Sequence, residues 1–343
     1  ITLPEYAEDI LAEGKGDFIS MGRPLLADPY WAKKALEGHP EDISPCIRCN
    51  EGCLDRGNHL GKSINCTMNP TLGFEDALAI RPTATPKKVA VVGGGPAGMK
   101  AAAVAFDRGH QVTLFEKRKL GGFLHEASAP EFKADIRNAL KYLTVQVEKR
   151  DIKVVEKEAT AADLEGFDAV IIATGAAGVR LPVPGGDRAN VQLAVDALAK
   201  DCAGISGNIV VVGGGLIGTE TAVQLSFSKE NHVTMVEMLP KIMKDCSASD
   251  QMVYPEMLKE NGVQVMTSSR VVEINDQGVV VEGHGRKTIP ADHVLVAIGL
   301  APCRSLAEEL KAMGKQVTVV GDCSKVGKIY DAIHSGYKAG LRV

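Results

Sequence analysis

An α/β fold with two nested Rossmann-like domains is predicted for this chain by three observations. Residues 88–98 read KVAVVGGGPAG, an apolar run leading straight into Gly93-x-Gly95-x-x-Gly98. Residues 209–218 read IVVVGGGLIG and repeat the pattern as Gly213-x-Gly215-x-x-Gly218. Each glycine loop is followed by a helix-forming stretch and then by a second apolar run ending in an acid, Glu116 or Glu237. A glycine triplet alone is weak evidence. With a strand before it, a helix after it and an acid 18 or 19 residues past the last glycine, it is a full dinucleotide fingerprint. The first glycine makes the tight turn, the second lets the backbone approach a pyrophosphate, and the third lets helix and strand pack closely. In the first copy Pro96 and Ala97 open the helix, whose N-terminus favours phosphate charge.

The chain's 343 residues suffice for two or three domains, and 45% hydrophobic with 24% charged residues is an ordinary globular balance. A net charge of −4 points away from nucleic acid and from anionic membrane surfaces. No apolar run reaches the ~20 residues of a membrane span. Eight cysteines without a visible signal peptide suggest a reducing cytoplasm. The chain opens on Ile1 in what reads as mid-domain sequence, so a piece of a longer polypeptide is expected. Homo-oligomerisation is left open.

In chain order, residues 4–14 read as a helix stopped by Gly14, and DFISM at 17–21 as a short buried strand. GRPLLADP follows, and Asp28-Pro29 opens a second helix to about Gly38. Helix, strand, loop and helix make the last unit of an α/β barrel, truncated here, if the segment belongs to one. The last loops of such barrels often hold phosphate, and Arg23 sits in this loop with a fork suited to it. Taken alone, Arg23 reads as a surface salt bridge.

Cys46, Cys49, Cys53 and Cys66 follow with the spacing C-x2-C-x3-C-x12-C. Thiolates select soft metals, and a 4Fe–4S cubane needs four of them. Structural zinc is the main competing reading, although zinc ribbons usually show two C-x-x-C pairs. A disulfide framework is the third. Residues 70–87 carry three prolines and read as a linker.

Past the first fingerprint, Gly121 and Gly122 form a second glycine turn, and FDAVIIATG at 167–175 is a buried strand ending at Thr174 and Gly175. Pro182, Pro184, Gly185 and Gly186 mark a crossing into the second domain. GVVVE at 278–282 suits a hairpin, and DHVLVAIG at 292–299 matches FDAVIIATG in pattern and ends at Gly299. VTVVGD closes a last strand at Gly321 and Asp322, and 330–340 reads as a helix. The expected partition is a barrel remnant at 1–45, a cysteine segment at 46–75, a linker at 76–87, a first nucleotide domain at 88–185 with 300–343, and a second at 186–299.

Residues 88–343 resemble the flavin-dependent pyridine nucleotide oxidoreductases. That resemblance implies FAD on the first fingerprint, with Gly121, Gly122, Thr174, Gly175, Gly321 and Asp322 completing its site. It implies NAD(P)H on the second, with Gly299 beside it. The order GRPLLADP, PCIRCNEGC, INCTMNP and then the fingerprint resembles, more narrowly, the old-yellow-enzyme-like NADH:flavin oxidoreductases that carry an iron–sulfur cluster. Members include 2,4-dienoyl-CoA reductase, 2-enoate reductase and trimethylamine dehydrogenase. This narrower resemblance implies Cys46, Cys49, Cys53 and Cys66 as 4Fe–4S ligands and Arg23 as a ligand of an FMN phosphate in an N-terminal barrel. The implied route runs from NADH to FAD, through the cluster as single electrons, to FMN, which reduces an activated C=C bond. Most of that barrel is not in the sequence, so the chain as it stands is not expected to reduce an alkene. Phe123 stands where many relatives have Gln.

Glu237 suits a ribose 2′-OH and repels a 2′-phosphate, and Met238, Leu239 and Pro240 bring no arginine, so NADH is the expected donor, although Lys241 could reach a phosphate. No C-x-x-C lies in 99–130, which argues against a disulfide reductase. Cys202, Cys246, Cys303 and Cys323 are scattered, and His334 in the last helix could approach the flavin but reads rather as a surface or packing residue. The alternatives are a trimethylamine-dehydrogenase-type amine dehydrogenase with a non-reactive second nucleotide site, a zinc-stabilised FAD scaffold, and a glutamate-synthase-like small subunit.

Overall fold

Continuous β-branched runs such as KVAVV and NIVVV suit strands covered on both faces, and they sit at the centres of two parallel sheets. The computed structural model describes residues 1–244 and 246–343. It divides into one unit of residues 1–125, 135–176 and 302–343 and another of residues 126–134 and 177–301.

In the first unit the spatial strand order is Val317–Val319, Ala169–Ile172, Lys88–Val92, Gln111–Glu116 and Lys153–Glu156, all parallel. Val89, Ala90 and Val91 are wholly buried. The helix Pro96–Asp107 rises directly from the central strand's glycine turn. The last helix, Ile329–Arg342, lies against it through Gly336 and Gly340. A Cβ on either would fall 2.1 Å from the Ala97 carbonyl oxygen or 2.7 Å from that of Ala101, so only glycine permits this approach.

The second unit repeats the plan with Val191–Leu193, His293–Val296, Asn208–Val212, His232–Val236 and Gln264–Met266, again all parallel. Gly278–Glu282 is the middle strand of a three-stranded antiparallel sheet, as its alternation suggests. Residues 126–134 belong to this unit although their neighbours on both sides belong to the first. Phe132 packs edge-on to Phe227 and Tyr254, with centroids 6.0 and 6.1 Å away.

Three expectations need correction. DFISM at 17–21 is not a strand. Phe18 is 92% exposed and no described strand pairs with the segment, while Ile19 and Met21 pack on Ala7, Trp31 and Ile43 without a ladder partner. The helix expected from Asp28 starts at Trp31 and ends at Leu36, and the preceding loop forms a short helix of its own, Arg23–Ala27. Between them Asp28 is buried, and its carboxylate accepts from the Tyr30 and Ser44 amides (2.9 and 2.8 Å) and from Lys34 Nζ (2.6 Å). Those bonds make it the hub of a turn. The units change over at 176/177 and 301/302, on the paired strands Ala176–Gly178 and Leu300–Pro302, rather than at the Pro-Gly cluster 182–186. The barrel remnant and cysteine segment fall within the first unit.

Candidate functional site

The cysteine segment has almost no regular structure before residue 51, so backbone conformation must gather its thiols. Arg48 and Asn50 both adopt left-handed conformations (φ 52° and 59°), which wraps the CIRCN turn. Residues 51–59 then form a π-helix, a form common at functional sites. Gly52 brings in the distant strand of the loop: its carbonyl accepts from the Asn65 amide at 2.6 Å, and a Cβ there would lie 2.6 Å from the Asn65 oxygen. Cys46, Cys49, Cys53 and Cys66 consequently line one cavity, together with Arg23 and Met68. Arg23 donates to the Asn50 side chain at the edge of that cavity. Its guanidinium is therefore tied to the cysteine turn, a position its loop placement alone does not reveal.

Burial pushes the thiols of Cys46 and Cys49 up and that of Cys66 to about 11. A metal bound there would have to displace those protons, because the thiolate is the ligand. Tetrahedral zinc, with bonds of about 2.3 Å, holds its sulfurs about 3.8 Å apart. Among the described residues, one group of three or more metal-capable side chains has its ligand atoms within 4.8 Å of one another: His39, Glu41 and Asp42. None of its members is a cysteine, and the four thiols around the cavity are soft donors of the kind that zinc or an iron–sulfur cluster takes. His39, Glu41 and Asp42 form a surface cluster whose two acids pair with Lys149 at 2.9 and 2.7 Å.

The first fingerprint is built by steric necessity. Gly93 has φ +104°, and a Cβ there would sit 2.2 Å from the Ala173 oxygen; one on Gly98 would sit 1.8 Å from the Gly93 oxygen. At Gly95 a Cβ would meet nothing closer than Gly122 Cα at 3.8 Å, so the approach to this amide is open. Gly121 and Gly122, both at positive φ, form the facing turn, and the Gly121 amide donates to the Gly94 carbonyl at 2.8 Å. Glu116 is buried and accepts from the Gly94 amide (2.6 Å) and the Arg118 amide (2.7 Å). It braces the loop, and each carboxylate oxygen keeps a lone pair for a ligand hydroxyl. Gly321, at φ +61°, lies beside Ala97. Asp322 accepts from the Gly327 amide at 3.0 Å, and burial raises its carboxyl above the ordinary range. Thr174 turns its hydroxyl to the Cys303 carbonyl (2.7 Å) and the buried Cys323 thiol (3.1 Å), while the Gly175 carbonyl accepts from the Cys303 amide at 2.9 Å. Thr174 and Gly175 thus tie the ATG turn to the returning chain.

The second fingerprint repeats this construction. A Cβ would fall 2.4 Å from the Ala297 oxygen at Gly213 and 2.0 Å from the Gly213 oxygen at Gly218, while Gly215 has open space. Glu237 accepts from the amides of Gly214 (2.6 Å) and Leu239 (2.7 Å). Gly299 is at φ +125° with open space above it. Both open glycines fit a pyrophosphate, and both acids fit a ribose.

Sequence reasoning missed Glu220 and the partner of His334. Glu220 is buried between Tyr254, whose hydroxyl donates at 2.7 Å, and Lys133. Its place as the one charged residue of the fingerprint helix Leu216–Ser226 was the available signal. His334 is buried and bonds the Cys66 carbonyl at 2.9 Å, a contact 268 residues apart that no local pattern encodes. The described residues include no helix long and apolar enough to cross a membrane.

A family model described as pyridine nucleotide-disulphide oxidoreductase matches residues 69–126 and 120–331. The chain is 40% identical over 353 residues to an NADH oxidase of Thermoanaerobacter brockii, covering 99% of this chain and 54% of that protein. It is 35% identical over 351 residues to a cinnamate reductase of Clostridium sporogenes, covering 99% and 52%. A solved 2-naphthoyl-CoA reductase, in complex with 2-naphthoyl-CoA, superposes with a TM-score of 0.93 at 35% identity, covering 100% of this chain and 53% of the other. The chain spans about half the length of the curated relatives it matches.

Proposed function

The chain belongs to the pyridine nucleotide-disulphide oxidoreductase family, and from that premise we propose that it is the electron-input module of an NADH-dependent flavin and iron–sulfur ene-reductase. It is a flavin-dependent, NAD(P)H-linked oxidoreductase module. The finer reading adds FAD on the first fingerprint, NADH on the second, a 4Fe–4S cluster on Cys46, Cys49, Cys53 and Cys66, and FMN in a barrel that Arg23 would help to hold. The observation that carries it is the gathering of four cysteines around one cavity in the unit that holds the first fingerprint.

Held there, these groups would supply hydride chemistry at the two nucleotide sites and one-electron chemistry at Cys46, Cys49, Cys53 and Cys66. The chain's own residues bind, orient and screen. Gly95 and Gly215 let a pyrophosphate reach backbone amides at helix N-termini. Glu116 and Glu237 hold those loops and present lone pairs to ribose hydroxyls. Glu237 disfavours a 2′-phosphate, which supports NADH over NADPH. The intact second fingerprint supports this reading over an amine dehydrogenase with an idle nucleotide site.

The test is an anaerobic titration of the purified chain with NADH, with iron and zinc assayed on the same sample. The expected result is bleaching of the flavin band and of broad absorbance near ~400 nm, with about four irons per chain. Zinc in place of iron, or flavin that dithionite reduces and NADH does not, would overturn it.

A further inference from the structure

The last helix, Ile329–Arg342, touches both halves of the proposed electron path within the first unit. Its start lies beside Asp322 and Gly321, the latter packed on Ala97 of the fingerprint helix. Asp331 pins that start by accepting from the Lys328 amide at 2.9 Å, and Lys328 pairs with Glu51 of the π-helix at 3.0 Å. One turn on, the His334 ring stacks on Tyr330 (centroids 4.0 Å apart, planes 21° from parallel), and its Nε2 meets the Cys66 carbonyl at 2.9 Å. A carbonyl can only accept, so Nε2 carries the hydrogen. From Ile329 to His334 the helix rises about 7.5 Å.

We propose that His334, seated on Tyr330, is a positioning residue for electron transfer: it fixes the Cys66 ligand at a set spacing from the flavin end of the last helix. The inference rests on the cluster and FAD assignment proposed above. The warrant is that a buried side chain spends its N–H on the backbone of a cluster-ligand candidate while its other face is held by an aromatic on the same rigid helix. Hydrogen-bonding partners of metal ligands orient them, and their loss typically costs about 10–100-fold in affinity or activity. The N–H also withdraws electron density from the Cys66 peptide, so its removal favours the oxidised cluster and moves the potential negative.

The experiment compares wild type, His334→Gln, which keeps an N–H donor, and His334→Phe, which keeps a ring for Tyr330 and loses the donor. Metal is assayed first. A wild-type protein without iron defeats the cluster assignment itself, and the positioning role with it. With iron present, anaerobic stopped-flow separates flavin bleaching by NADH from cluster reduction, and an EPR-monitored titration gives the cluster potential. The proposal expects His334→Phe to leave flavin bleaching unchanged, slow cluster reduction about 10–100-fold and shift the potential negative, with His334→Gln recovering most of both. If His334→Phe holds full iron with unchanged potential and cluster reduction, the proposal fails. If both variants lose iron equally, His334 merely packs the loop and the proposal also fails.

Discussion

Two helices of one design carry opposite charges at the same place. Lys100 stands two residues past Gly98, and Glu220 two past Gly218. Glu220 is answered from all sides: it accepts from the Tyr254 hydroxyl at 2.7 Å and pairs with Lys133, whose ammonium also lies 5.3 Å from the Tyr254 ring centre. Burial first, and the adjacent Glu220 carboxylate second, raise the Tyr254 hydroxyl. Lys100 makes no ion pair with any described residue. It faces a cavity of about 160 Å³ lined by Asp107, Tyr142, Arg150 and Tyr337, with the Tyr142 ring centre 5.9 Å away, and burial lowers it to about 8. Asp107, which lines the same cavity, is taken by Arg150 at 2.8 and 2.9 Å. At their loop ends a Cβ on the first or third glycine would make the same close approaches to backbone oxygens, 2.2 and 1.8 Å in one half against 2.4 and 2.0 Å in the other. The helices' outer faces differ because different segments pack on them. In one half a charge has been completed into a network; in the other it remains a load on the fold.

The strongest way to test the matching ends is to fill the third glycine. Gly98→Ala and Gly218→Ala each place a methyl within 2.0 Å of a backbone oxygen and should cost about 3 kcal/mol. That lowers Tm by about 6–12 °C. Bound flavin is expected to fall in Gly98→Ala and to persist in Gly218→Ala; equal flavin loss in both would break the assignment of one cofactor to each half.

Lys133→Met tests the completed network. It leaves Glu220 buried with only Tyr254, which should cost about 2–3 kcal/mol, less than a fully buried pair because Lys133 is 22% exposed. Adding Glu220→Gln should return most of that in denaturant melts, and additive losses would show that the pair is not coupled.

Gly95→Ala and Gly215→Ala separate folding from binding, since neither methyl meets a close neighbour. Both should melt like wild type. Gly95→Ala should weaken FAD, and Gly215→Ala should raise the KM for NADH about tenfold with FAD intact (about 1.4 kcal/mol). A lowered Tm in either would mean the space over that glycine is not open.

An effect of similar size is expected at Lys100. Its folded pKa of about 8 lies below the model-compound value of 10.5, so the unfolded chain holds more protons between those pH values. Stability should therefore rise with pH from about 8 to about 10.5, and the penalty is fully present below pH 8. Lys100→Met should remove that slope and add about 1–2 kcal/mol at pH 7, a figure discounted for the lysine's partial access to its cavity. A slope that survives the substitution would assign it to another group.

Much of the core and the shape of both glycine loops were legible in the sequence. The strands Lys88–Val92 and Asn208–Val212 stand where their apolar runs end in glycine, because strand, turn and helix there are adjacent in the chain. The ring of Cys46, Cys49 and Cys53 was legible for the same reason. DFISM misled because an apolar run becomes a strand only when other strands pair with it. The insertion of residues 126–134 into the second unit was hidden because its anchors, Phe132 and Lys133, meet partners about 90 residues or more away.

By itself, then, the sequence determined the two nucleotide loops, their bracing acids and the cysteine set, since each depends on close spacing and on which residues tolerate positive φ or lack a Cβ. Tertiary structure alone decided that Arg23 faces the cysteine turn, that His334 meets the carbonyl of Cys66, and that Glu220 is answered while Lys100 is not. These are contacts between distant segments, settled by which surfaces pack together, and burial sets the energy of each.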